Sequence, residues 1–401
     1  MAQGSIVVVH PGVQHSRELV RALYDGGLLS RFVTSNNGGL SNAAWLPDSV
    51  RRRLRTRITE GVPPDMVRTI PWIEVAAMVA AVPLGTRLRR RLYYSSLELF
   101  DRLAATRISS DEPQIVIGFE NSCRHTFEKA KSIGALCVLD AASVHHASQP
   151  EYDGDMGAES IARVRKRKDE EIGLADHFVV LSTYARDSYL SAGVPSEKIS
   201  IVMPGVHLSS TAQMKPTRPA QGNIRFLFAG NVKHAKGIDL LLEAFSQLDV
   251  ANKRLEIAGS LTEPSAFPAS LPDGVEYLGK LDRRELSEAY ARSDVLVLPS
   301  RADGFGFVVA EAMGSGLPVI VSSAVGAKDL VTQGVTGWTF ESGSADQLRE
   351  TMAEAFKCRE DWASMGLKAQ QTIAGLTWGV YSLQIQTLYR RLLGTRDIRN
   401  S

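Results

Sequence analysis

The sequence predicts an α/β protein built from two doubly wound parallel sheets. Three observations carry this. Short, nearly continuous apolar runs rich in β-branched residues recur along the chain; they alternate with stretches of helical periodicity; and they fall into two arrays separated by a segment with no period. Strands that are apolar at almost every position are buried on both faces, as in parallel sheets covered by helices. A chain of 401 residues, 44% hydrophobic and 22% charged, is also long for a single core.

The first array comprises "SIVVVH", "QIVIGF", "LCVLD", "FVVLS" and "ISIVMP"; the second comprises "IRFLFAG", "LEIAG", "VEYLG", "VLVLPS" and "PVIVS". Between them, "PGVHLSSTAQMKPTRPAQG" (204–222) is rich in Pro, Ser, Thr and Gly and marks the junction. The expected division is a first domain over 1–204, a second over 205–380, and a final helix over 381–401 on which Tyr381, Ile385, Leu388 and Leu392 form an apolar stripe.

In open α/β sheets ligands lie beyond the carboxyl ends of the strands, so the loops that follow strands carry the chemistry. After the first strand, "HPGVQHSRELVRAL" gives a Pro-Gly turn and a helix with Leu19, Val20 and Leu23 on one face. Gly12 lets backbone approach a ligand, and Ser16 is placed to cap a helix whose amides favour an anion. The full G-x-G-x-x-G pattern is absent, which argues against a dehydrogenase.

In the second array, "FLFAGNVKHAKGIDLLLEAF" ends a strand at Ala229-Gly230, carries Lys233, His234 and Lys236 through a loop, and enters a helix striped by Ile238, Leu241, Leu242 and Phe245. Lysines between a strand and a helix N-terminus suit a phosphate. After "VLVLPS" come Asp303, the turn Gly304-Phe305-Gly306, and a helical segment holding Glu311. The glycines free amides for a diphosphate, while two carboxylates eight positions apart can accept hydrogen bonds from hydroxyls at two ends of one ligand. That combination suits a sugar nucleotide.

Composition narrows the remaining classes. Cys123, Cys137 and Cys358 lie far apart without metal-ligand spacing, which predicts a reducing compartment and no disulfide framework. "MAQGSIVVVH" has neither a basic leader nor a long apolar core, and "VAAMVAAV" (75–82) falls far short of the roughly 20 residues of a spanning helix, so a cytoplasmic protein is expected. The net charge of +2 conceals an excess of seven over residues 51–107, where twelve arginines face five acids. "RRRLRTR" and "RLRRRL" there flank an apolar stretch containing Trp72, Ile73, Val75, Met78 and Val79. Such a segment predicts peripheral contact with the inner face of an anionic membrane, or an acidic acceptor, with a solvated basic face as the alternative. No aromatic platform or recognised module accompanies the arginines, which counts against nucleic acid, and none is expected as a partner.

Together these motifs resemble the family-four retaining glycosyltransferases of the GT-B fold (glycosyl transferases group 1), in which two Rossmann-like domains face a central cleft. The resemblance covers nearly the whole chain: "HPGVQHS", "EEIGLADHFVVLSTYARDSYLSAGVPSEKISIVMPGV", "AGNVKHAKGIDLLLEAF", "VEYLGKLDRRELSEAYARSDVLVLPS", "DGFGFVVAEAMGSGLPVI", "GVTGWTF" and "TWGVYSLQIQTLYRRL". It implies that the E-x7-E pair of the family falls on Asp303 and Glu311, with Glu311 on the ribose hydroxyls and Asp303 on the donor sugar. It also implies donor contacts from Gly12, Gly230, Asn231, Lys233, Leu278, Gly304, Phe305 and Gly306, catalytic roles for Lys236, Asp303 and His145, and a last helix returning to the first domain.

Two departures stand out. The family's G-R-x-x-x-x-K-G reads Gly230-Asn231 through Lys236-Gly237, so the diphosphate-bracing arginine is Asn231, leaving Lys236 and Lys233 as the charges there. The first acid is Asp303 rather than Glu, about 1.5 Å shorter in reach. On the acceptor side, "CVLDAASVHHASQ" sets Asp140, His145 and His146 after a strand; His145 is the candidate to bind a donor hydroxyl or orient the acceptor, ahead of His146 and of His125. "DGD" (153–155) has no preceding strand and reads as a turn rather than a metal motif.

The expected activity is therefore transfer of a hexose-type sugar from a nucleoside-diphosphate sugar to a glycan, lipid-linked or small-molecule hydroxyl acceptor, with retention, no metal and no cofactor. The rival readings are a catalytically weak or inactive homologue serving as a partner subunit, and a nucleotide-sugar epimerase or phosphorylase on the same fold.

Overall fold

The computed structural model describes residues 4–12, 15–38, 51, 58–70, 86–108, 112–149, 157–206 and 224–400. Outside them lie most of the first arginine cluster, the apolar stretch 71–85, the "DGD" turn and 207–222 of the junction.

The described residues form two parallel sheets. In the first domain the elements run β1 (Ile6–Val9), α1 (Ser16–Asp25), β2 (Leu29–Thr34), β3 (Val67–Thr69), α2 (Thr86–Ala105), β4 (Ile115–Phe119), α3 (Arg124–Ser132), β5 (Leu136–Ala141), α4 (Ala158–Leu174), β6 (His177–Val180), α5 (Thr183–Ser191) and β7 (Ile199–Ile201). The second domain continues with β8 (Ile224–Ala229), α6 (Ile238–Gln247), β9 (Lys253–Ala258), β10 (Val275–Gly279), α7 (Arg283–Arg292), β11 (Val295–Leu298), α8 (Phe307–Gly314), β12 (Val319–Ser322), β13 (Gly337–Phe340), α9 (Ala345–Lys357) and α10 (Trp362–Ile373). A last helix, α11, spans Trp378–Asn400.

The strand orders are β3-β2-β1-β4-β5-β6-β7 and β10-β9-β8-β11-β12-β13, all pairs parallel. Each order reverses direction once, between β1 and β4 in one sheet and between β8 and β11 in the other. At such a switch point neighbouring loops diverge to opposite faces and leave a crevice. The loops with Gly12, Lys236 and Asp303 all start from strands flanking these two points.

The strands are apolar throughout because both faces are covered. Ile6, Val7, Val8 and Val9 are each fully buried, with Ile6 and Val8 in the layer under α1 and Val7 and Val9 in the layer under α2 and α3. β2, β3 and β13 are less regular in sequence: "LSRFVT", "VRT" and "GWTF" carry polar residues, and their neighbours in the sheet rather than local pattern hold them extended.

α11 packs on the first domain. Tyr381, Ile385, Leu388 and Leu392 are buried beside Leu19, Val20 and Leu23 of α1, each burial worth about 2 kcal/mol. Gln386 Nε2 donates to the Ala22 carbonyl at 3.1 Å and Arg390 donates to the Gly26 carbonyl at 3.2 Å, fixing the register of the crossing. No helix among the described residues is long and apolar enough to cross a membrane.

Candidate functional site

On the second sheet, β8 ends at Ala229 and the chain passes Gly230 and the exposed Asn231 into a 3-10 turn, His234–Lys236. Gly237 then takes a left-handed φ of +67° before α6, and a Cβ there would stand 2.0 Å from the Pro299 carbonyl oxygen. Only glycine meets both demands. The turn thus lies against the end of β11, which brings Lys236 to Asp303. The two form an ion pair whose side chains are about four-fifths shielded from solvent.

Arg301 anchors the same turn. Its guanidinium donates to both Asp239 oxygens, at 2.6 and 2.7 Å, and to the His234 carbonyl at 2.8 Å. Burial works against charge on Asp239, but the Arg301 hydrogen bonds and charge outweigh it and hold the carboxyl below its usual range. Arg301 is thus committed to Asp239 and the His234 carbonyl. Lys233 is half-buried at the head of the turn, where its carbonyl accepts from the Lys236 amide at 2.9 Å.

The loop after β11 is closed by backbone bonds: the Asp303 amide donates to the Ala324 carbonyl and the Gly326 amide to the Asp303 carbonyl, both at 2.9 Å. Gly306, the N-cap of α8, adopts φ +86°, and a Cβ there would lie 3.7 Å from Asp303 Oδ2. Phe305 is buried in the domain core. Glu311, on α8, accepts from the Tyr290 hydroxyl at 3.0 Å. Burial raises the Glu311 carboxyl, while the Tyr290 bond and the Arg283 charge pull it partly back. Leu278, half-buried in β10, packs on the core of this domain.

On the first sheet, Gly12 follows β1, and a Cβ on it would lie 3.3 Å from His10 Nε2. The His10 ring lies tilted against Phe119 with centroids 4.2 Å apart, and neither ring nitrogen has a hydrogen-bond partner among the described residues. Burial, assisted by His15, lowers its pKa to about 3, so it is neutral. His15 Nε2 meets Asp140 Oδ1 at 2.9 Å, tying the start of α1 to the end of β5.

His145 follows β5 and is buried. Its Nδ1 accepts from the Ala147 amide at 3.2 Å, which leaves the proton on Nε2. Burial and then the neighbouring His146 lower its pKa, which favours the neutral imidazole. His146 stacks on it at 4.4 Å and is held by Asp169 at 3.0 Å. His145, His146 and Asp169 bring ligand-type atoms within 4.8 Å of one another, but a cation on His145 would have to displace the Ala147 bond or the Nε2 proton. His125 pairs with Glu128 of its own helix at 3.1 Å.

Lys236, Asp303 and Gly304 thus gather at one edge, and the segment leading to His145 abuts it: a Cβ on Gly304 would fall 2.3 Å from the Ala142 carbonyl oxygen and 2.9 Å from Ser143 Cα. Glu311 lies on α8 and Leu278 in β10. The sequence reading missed Tyr290, Arg301, His10 and Glu120, on which Ser143, Tyr189 and Lys168 converge. Nothing in local pattern distinguishes these residues; only the adjacency of "PSR" to the Asp303 loop hinted at Arg301.

The fold has counterparts among known proteins. Residues 209–372 match the family model described as Glycosyl transferases group 1. A D-inositol 3-phosphate glycosyltransferase of Thermobispora bispora is 25% identical over 250 residues, 56% of this chain and 58% of that protein. The chain spans about half the length of the curated relatives it matches. Among solved structures, a sucrose-phosphate synthase from Thermosynechococcus elongatus superposes with TM-score 0.71 at 19% identity, covering 98% of this chain and 100% of the other. Anabaena HepE in complex with UDP-glucose superposes with TM-score 0.62 at 15% identity, covering 96% and 99%. Residues 209–372 thus form a domain that matches the glycosyl transferases group 1 model, and the chain as a whole adopts the two-sheet GT-B fold.

Proposed function

We propose that the protein transfers a hexose-type sugar from a nucleoside-diphosphate sugar to an acceptor hydroxyl, with retention of configuration and without a metal. The observation that carries this reading is the meeting of Lys236 and Asp303 at the mouth of the second sheet, with Glu311 one helical stretch beyond and the His145 segment facing them. The likeness to a protein solved with UDP-glucose supports the nucleotide donor.

In this reading Glu311, braced by Tyr290, accepts from the ribose hydroxyls. Lys236 turns from Asp303 to the diphosphate and stabilises the negative charge that grows as the sugar–phosphate bond breaks. Asp303, released, accepts from the donor sugar. His145 donates from Nε2 to a sugar hydroxyl and stays neutral throughout. The C1–O bond to the acceptor forms on the face from which the diphosphate leaves; the departing phosphate oxygen keeps the bonding electron pair and takes the acceptor's proton. With lysine and loop amides supplying the positive field, a cation is not required.

A thermal-shift panel of UDP, GDP, ADP and their sugars tests the donor, since a ligand of the folded state raises apparent stability with its concentration. Nucleoside diphosphate release that needs an acceptor, is unchanged by EDTA, and yields product of the donor's anomeric configuration is the expected result. No shift with any nucleotide sugar would reject the donor reading. Binding without transfer would favour the partner-subunit reading, for which Asn231 and Asp303 are the supporting observations. Release driven by inorganic phosphate would point to a phosphorylase.

A further inference from the structure

Where the two domains touch, the contacts are specific and converge on the donor loop. Ser182, fully buried at the N-cap of α5, donates its hydroxyl proton to the Gly304 carbonyl at 2.6 Å while accepting from the Ala185 amide at 3.1 Å. The next residue, Thr183, is gripped by Asp329 of the second domain: its amide donates to Oδ2 at 2.9 Å and its hydroxyl to Oδ1 at 2.7 Å. Lys328 lies 5.1 Å over the Tyr184 ring. Three consecutive residues of the first domain therefore engage the loop 303–306 and the 3-10 turn Gly326–Leu330, which are themselves bonded to each other through Asp303, Phe305, Gly326 and Ala327.

Two glycines report the same contact. Neither Gly304 nor Gly326 has a positive φ, so backbone conformation does not demand glycine at either place. Space does: a Cβ on Gly304 would meet Ala142 of the first domain, and one on Gly326 would stand 2.4 Å from Ser182 Oγ and 2.2 Å from the Gly304 carbonyl oxygen. A side chain at Gly304 is excluded by the opposite domain rather than by its own.

We propose that Ser182, Thr183 and Asp329 are positioning residues for sugar transfer, forming a latch through which closure of the first domain sets the Gly304–Phe305 peptide. In a trans peptide the N–H points opposite to the C=O. With Ser182 holding the carbonyl, the Phe305 N–H is turned away from Ser182, oriented at the moment the domains meet. A donor bound by Glu311 and Lys236 on the second domain alone thus lacks the amide until the first domain, and any acceptor it carries, is in place. This limits donor hydrolysis in the open form. The inference rests on the donor reading above.

The test uses Asp329→Ala and Thr183→Ala in the full chain, with Asp329→Asn as the conservative variant. Small-angle scattering without ligand reads the latch independently of activity: both alanine variants are expected to show a larger radius of gyration than the parent, and Asp329→Asn an intermediate one. With nucleotide sugar and acceptor, turnover falls at least tenfold in the alanine variants while nucleoside diphosphate affinity stays within about threefold, and the double variant is no worse than either single one. Parent-like scattering and turnover in both alanine variants would overturn the latch, as would a loss confined to nucleotide affinity. If no nucleotide sugar binds the parent, the donor reading fails, and the unliganded scattering still decides whether these residues hold the domains closed. Circular dichroism of Thr183→Ala separates opening from a failure to fold.

Discussion

The two sheets answer the same topological problem with opposite chemistry. After β8 and β11 the loops are held by full charges, Lys236 on Asp303 and Arg301 on Asp239. After β1 and β5 they present imidazoles kept neutral by burial, His10 and His145. The difference follows from what each loop is proposed to meet. A diphosphate leaving group gains charge as the reaction proceeds and needs a fixed counter-charge; a hydroxyl needs only directional donors and acceptors, and a neutral imidazole supplies both at little desolvation cost. Even an acid of the first domain obeys the trend: Glu171, caught between the amides of Asn121 and Cys123, is raised by burial to about 7.

The contrast can be broken most directly at Lys236. Lys236→Ala should lower turnover by about 10² to 10³, the scale for losing one preorganised oxyanion partner, with a smaller loss of donor affinity; single-turnover kinetics beside calorimetry separates the two. Equal losses in both would make Lys236 a ground-state ligand.

Glu171 probes the neutrality of the first domain. Between the ordinary glutamate pKa of 4.5 and about 7 the unfolded chain gives up the proton while the folded chain keeps it, so stability falls as pH rises through that window and levels off above it. The contribution amounts to about 3 kcal/mol. Glu171→Gln should remove this slope, and urea denaturation at the two ends of the window checks it; an unchanged slope would show that Glu171 is ionised in the fold.

At Glu311 the expected change is smaller. Glu311→Ala should weaken nucleoside diphosphate binding by about 1.5 to 3 kcal/mol through loss of a charged acceptor, with Tyr290→Phe intermediate because it removes only the brace. Calorimetry that finds Glu311→Ala indistinguishable from the parent would withdraw the ribose role.

His145→Ala should reduce turnover by roughly tenfold, the worth of one buried hydrogen bond, and leave nucleotide affinity alone. Because burial lowers its pKa from 6.5, any loss of rate from charging His145 belongs below that pH; an acid limb above it in the parent, absent in the variant, would contradict a neutral donor. The weakest effect is expected from the basic segment 51–107, where each arginine near an anionic surface contributes about 1 kcal/mol. Salt-sensitive co-sedimentation with anionic but not neutral vesicles is the expected outcome, and equal partitioning to both would leave a solvated face.

Much of the second domain was legible because its signals are local. "IRFLFAG", "VLVLPS" and "PVIVS" are apolar at nearly every position, and the glycines at 237 and 306 stand where the chain must turn with positive φ. β2, β3 and β13 were not legible, since their polar residues interrupt the period and pairing with neighbours holds them extended. The spacing of Asp303 and Glu311 was legible, but not their partners Lys236 and Tyr290.

What the sequence determined by itself is the alternation that makes two covered parallel sheets, and the placing of glycine, lysine and carboxylate just after their strands. Periodicity and turn chemistry act over a few residues, so they can be read from a few residues. Only the tertiary structure decided which charges and hydroxyls meet: Lys236 with Asp303 across 67 positions, Arg301 with Asp239 across 62, Ser182 with Gly304 across 122 and Thr183 with Asp329 across 146. Those pairings are set by strand order and by the docking of one domain on the other. No local pattern encodes them, because the free energy that selects them comes from burying whole faces of the sheets rather than from the paired groups themselves.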